Sequence, residues 1–73
     1  MGRSIRTKEY QNFALKLKNA RLEAGFTQVE AAKKLKRPQS YISKSEVGEQ
    51  RLDIVEIRKF ATLYKKDISY FTK

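Results

Sequence analysis

The chain has 73 residues, with 17 Lys+Arg against 8 Asp+Glu and a formal charge of +9. That length allows one domain near the lower limit of what folds without staples, and the absence of cysteine and histidine removes disulfides, thiolate or imidazole metal ligands and the usual general base. The positive excess favours polyanionic partners, nucleic acid ahead of an anionic membrane surface.

Taken in chain order, residues 1–6 (MGRSIR) read as a flexible basic arm, and residues 7–73 as one helical domain. The start has no apolar core of a secretion signal, and no apolar run approaches the ~20 residues a bilayer requires. The expectation is a cytoplasmic protein without membrane association. Thr7 is a suitable N-cap for a first helix, with Glu9 favourable in its first turn. Tyr10, Phe13, Ala14, Leu17, Ala20 and Ala24 follow at three- and four-residue steps, which predicts one buried face. Gly25 suits the left-handed position that ends this helix.

Thr27-Gln28-Val29-Glu30 has the form of a capping box and starts a second helix, with Val29, Ala32 and Leu35 as its predicted buried side. Lys36-Arg37-Pro38 interrupts the pattern. A third helix begins around Pro38, whose fixed φ is tolerated in a first turn, and continues to Glu46 or Val47 before Gly48. Asp53 can cap a fourth helix with Ile54, Ile57, Phe60, Ala61 and Tyr64 as its apolar face, and Asp67 a last turn carrying Ile68, Tyr70 and Phe71. No segment alternates as a strand would, so the prediction is all-α with five helices. The second and third are too short to stand alone, since isolated helices under ~12–15 residues are marginal in water.

The stretch GFTQVEAAKKLKRPQSYISKSEVGEQRLD resembles the helix-turn-helix of the phage-repressor class (Cro/cI-like, XRE), a likeness that extends from about Leu17 to Phe71. It implies a compact five-helix, lambda-repressor-like DNA-binding domain in which helices 2 and 3 form the helix-turn-helix and the third enters the major groove. By the same likeness, Gln39, Ser40, Ser43 and Lys44 face base edges. Gln28 reaches a phosphate beside Thr27 at the helix 2 N-terminus, where free N–H groups favour an anion. Tyr41, like Ser43, can reach either a phosphate or a base, with a backbone phosphate expected for Tyr41, and Arg21 pairs with Glu46 to tie helix 1 to the end of helix 3. The chain departs from the pattern at Lys36 and Lys65, where glycine is common, and at Ala31 and Ser45, where large apolar side chains are usual.

Side-chain chemistry leads the same way. Glutamine can bond bidentately to adenine N6 and N7, and lysine can donate to guanine O6 and N7. Gln39, Ser40, Ser43 and Lys44 share one helix face by their spacing. Between Glu30 and Glu46 the chain has no acid but includes Lys33, Lys34, Lys36, Arg37 and Lys44. Arg37 at the joint and Arg51 in the following loop are candidates for backbone phosphates, while Lys33 and Lys34 also fit a solvated surface. The expected function is sequence-specific binding of double-stranded DNA by a homodimeric repressor at a palindromic operator. Ile68, Tyr70 and Phe71 would either form the dimer contact or pack back on their own domain. An enzyme is the weakest reading, because no acidic pair stands in a catalytic arrangement, and neither metal nor cofactor is expected. The alternative class is a protein-interaction module such as the antitoxin of a toxin–antitoxin pair.

Overall fold

A computed structural model describes residues 7–72. The expected arm at 1–6 lies outside the described residues. The described residues are helical throughout their regular elements, in the order α1 (Lys8–Ala24), α2 (Gln28–Leu35), α3 (Gln39–Glu46), α4 (Ile54–Tyr64) and α5 (Ser69–Thr72).

Local chemistry sets the boundaries. The Thr7 hydroxyl accepts from the Tyr10 N–H, and Gly25 closes α1 in the left-handed region at φ 84°. Both capping boxes form: Thr27 with Glu30 at α2, and Asp53 with Glu56 at α4. Each cap satisfies N–H groups that a helix start leaves without partners. Lys36 and Lys65 end α2 and α4 at φ 58° and 57°, positions where a side chain costs roughly 1–2 kcal/mol. Pro38 is the N-cap of α3 rather than part of its first turn; its ψ of 154° is extended, and its carbonyl accepts from Tyr41 N. Asp67 Oδ1 accepts from Ser69 N at the start of α5.

The core gathers Phe13, Leu17 and Ala20 of α1, Ile42 of α3, Phe60, Ala61 and Tyr64 of α4, and Phe71 of α5. An aromatic run crosses it, with Tyr41 stacked on Phe60 at 6.0 Å, Phe60 tilted against Tyr64, and Tyr64 against Phe26. Three predicted core positions are overturned. Ala24, Val29 and Ile54 are exposed, the last two at 46% and 53%. In α2 the inward pair is Ala31–Ala32, because the short helix lies close to its neighbours and only small side chains fit between them. Ser45, fully buried, fits for the same reason and donates its hydroxyl to the Tyr41 carbonyl. Phe71 packs into its own core at 4% exposure and is not a surface for a second subunit. Ile68 and Tyr70 are half-buried.

Candidate nucleic-acid interface

Helix α3 has two unlike sides. Ile42 and Ser45 are fully buried, whereas Gln39, Ser40 and Lys44 are exposed and Ser43 is half-exposed. The apolar side anchors the helix, and the polar side is left for a partner.

The exposed side is braced by a chain of polar contacts starting inside the protein. Arg21 Nε donates to Glu46 Oε2 at 2.6 Å, and Arg21 Nη2 to Oε1 at 3.0 Å, a two-pronged ion pair with little solvent on either partner. Arg21 Nη1 also donates to the Phe26 carbonyl at 2.8 Å, so one guanidinium ties α1, the α1–α2 turn and the end of α3. The hydrogen bond to Glu46 raises the Arg21 pKa and outweighs the opposing effect of burial. Glu46 Oε1 accepts in addition from Gln28 Nε2 at 3.2 Å. Gln28 Oε1 then accepts from Gln39 Nε2 at 3.3 Å. With its Oε1 and second N–H unused among the described residues, Gln39 presents one acceptor and one donor side by side, the pattern complementary to adenine N6 and N7.

Thr27 and Gln28 stand at the N-terminus of α2, and Thr27 spends its hydroxyl on the capping box. Arg37 and Tyr41 are differently placed. The Tyr41 hydroxyl donates to Glu56 Oε2 at 3.0 Å, the Arg37 guanidinium lies 4.9 Å over the Tyr41 ring, and Arg37 Nη2 stands 3.7 Å from Glu56. Burial first, and the bond to Glu56 second, push the Tyr41 pKa well above the usual phenol value. A phosphate contact from the Tyr41 hydroxyl would therefore have to displace Glu56. Arg37 is the freer of the two, with 45% of its side chain exposed.

Arg51 is exposed in the α3–α4 loop, and this loop is held by a contact that the sequence pattern does not disclose. Tyr10 of α1 donates its hydroxyl to the Gln50 carbonyl at 2.7 Å and accepts from Leu52 N at 3.1 Å, so it clamps the residues on both sides of Arg51. Burial raises the Tyr10 pKa, against the lowering effect of the Leu52 N–H. The partners are about forty residues apart, beyond any local periodicity. Val29 and Leu22, both exposed, flank Gln28 and Gln39 and add apolar surface beside them.

Among the described residues, no cluster of acidic side chains could hold a metal ion, and no helix is long and apolar enough to cross a membrane. A search of curated proteins found no match. A family model described as helix-turn-helix matches residues 17–71, most of the chain, and covers α2, α3 and the braced glutamines. The two-sided α3, following directly on α2, and this match have one meaning: the chain belongs to the Cro/cI-like (XRE) helix-turn-helix family of DNA-binding proteins.

Proposed function

We propose that this DNA-binding protein is a sequence-specific transcriptional repressor acting in the cytoplasm, and that it binds a palindromic operator as a homodimer with α3 in the major groove. The single observation that carries the reading is the division of α3 into a sealed apolar side and an outward polar side of Gln39, Ser40 and Lys44. In this reading Gln39 pairs with an adenine, Lys44 donates to a guanine, and Ser40 and Ser43 complete the base contacts. Gln28, Arg37 and Arg51 take backbone phosphates, with Thr27 and Tyr41 beside them. Repression follows from occlusion, because a bound dimer covers promoter DNA that polymerase needs.

Selection from a random duplex pool tests this directly. The wild type should enrich a two-fold symmetric site, and Gln39→Ala should lose preference at one base pair per half-site, a discrimination of about 1–3 kcal/mol. Gln28→Ala should lower affinity for every sequence, with a smaller loss of preference at the base pair that Gln39 reads, because Gln28 also orients Gln39. Equal, sequence-independent losses in both variants would refute the assignment of α3. No enrichment of any sequence would refute specific DNA binding as a whole.

A further inference from the structure

A second feature lies along α2 from the glutamines. The C-terminal end of α2 and the outward stripe of α4 enclose an open groove of about 600 Å³. Leu35, Val55 and Leu63 contribute its apolar lining; Val55 is 54% exposed, a large apolar side chain left in water. Lys34, Lys36, Arg58 and Lys59 rim it, and no acidic side chain is among the lining residues. Lys36 is one of the two residues that adopt the left-handed conformation at a cost, so a charged side chain stands at the groove where glycine would be free of strain. Gln28 is at the opposite end of α2, an eight-residue helix about 10 Å long, so the groove is set apart from the polar side of α3.

We propose that this groove is a docking site for an acidic amphipathic helix of a partner protein, two to three turns long. The groove runs along α4 from Val55 to Leu63, about 12 Å of helix, which matches apolar anchors on a ligand helix at one-turn steps. Carboxylates flanking those anchors would meet the four cations of the rim. A second copy of this chain is a poor match, since it too carries +9 and three of its 8 acidic residues, Glu30, Glu46 and Glu56, are spent on internal contacts. The basic segment at 1–6 is excluded by the same charge argument. A DNA backbone would find the cations but has nothing to bury against Leu35, Val55 and Leu63.

The test uses the full chain and a display library of random sixteen-residue peptides, selected at physiological salt and counter-selected against the Val55→Gln/Lys59→Glu variant. Selected peptides should carry Asp or Glu around apolar residues spaced three and four apart. In amide NMR titrations they should shift residues 34–36 and 55–63 and leave Gln28, Gln39 and Lys44 unmoved. Val55→Gln alone should weaken a selected peptide at least fivefold, and Lys59→Glu at least fivefold, while the salt slope of DNA binding stays unchanged in both. Both positions are exposed, so neither variant should disturb folding, and circular dichroism checks this. The proposal is overturned if the library yields no such peptides, or if their shifts fall on the α3 face. Insensitivity to Val55→Gln would also overturn it, because the attraction would then be charge alone. A reduced DNA salt slope in Lys59→Glu would assign the rim to the DNA backbone instead. None of these outcomes depends on whether α3 reads bases.

Discussion

Tyr64 brings a hydroxyl into the core and gives it no hydrogen-bond partner among the described residues. A buried polar group left unpaired costs about 1–3 kcal/mol, whereas a ring without it can pack equally well. Tyr64→Phe should therefore leave stability at pH 7 unchanged or raise it by up to about 1 kcal/mol in urea titrations. The same residue sets a pH dependence. Burial raises the Tyr64 pKa above its ordinary 10.0, and Tyr41 is raised by burial and by Glu56. An unfolded chain then gives up these protons at lower pH than the folded one, so their contribution is complete below pH 10 and declines as pH rises beyond it. Urea midpoints compared between pH 8 and pH 11 should fall less steeply in Tyr64→Phe; an identical fall would remove Tyr64 as a cause. Glu46 is the opposite kind of buried group, since three donors converge on it. Glu46→Gln leaves the Arg21 charge buried without its counter-ion, a change that should cost about 3–5 kcal/mol. A loss under 1 kcal/mol by chemical denaturation would show that water reaches the pair.

The helix ends show how far the sequence could be read at the scale of an element. Thr7, Thr27 with Glu30, Asp53 with Glu56, and Gly25 act on groups within four residues, so their chemistry was legible from spacing alone. Which stripe of a short helix turns inward was not. An eight-residue helix makes barely two turns, so Val29 and Ala31 are both compatible with its pattern, and the neighbours decide. At the interface, the outward residues of α3 followed from periodicity, but Tyr10 clamping the Arg51 loop depends on the whole fold. The two lysines in left-handed caps make a further prediction. Glycine relieves about 1–2 kcal/mol of strain there but adds about 0.5–1 kcal/mol of chain entropy to the unfolded state. Lys36→Gly and Lys65→Gly should each stabilise by about 0.5–1 kcal/mol, or several degrees in thermal midpoint for a domain of this size. Gly48 is the reverse case. Its φ is +80° and an added Cβ would collide with the amide end of the Gln11 side chain, so Gly48→Ala should destabilise more than Gly25→Ala, where nothing stands within 4 Å. Equal thermal midpoints for the two alanine variants would show that Gln11 yields without cost.

The described residues span about 30 Å in their longest dimension, shorter than the ~34 Å that separates successive major-groove faces of DNA. In the proposed reading one subunit takes one half-site, and a symmetric operator takes two. The charge of +9 per subunit opposes their meeting in free solution at low salt, and phosphate neutralisation removes that opposition on DNA. Dimerisation should accordingly be coupled to binding: sedimentation at low salt should show a monomer alone and two subunits per duplex carrying a full site. Four to six phosphates neutralised by lysine or arginine per subunit, Arg37 and Arg51 among those cations, correspond to a log–log salt slope between about −3.6 and −5.4 for a half-site, doubling for the full site. A slope near zero would exclude the phosphate backbone as the source of affinity. An equal slope on half and full sites, with one subunit bound to each, would instead remove the dimer while leaving the single-subunit reading of α3 intact.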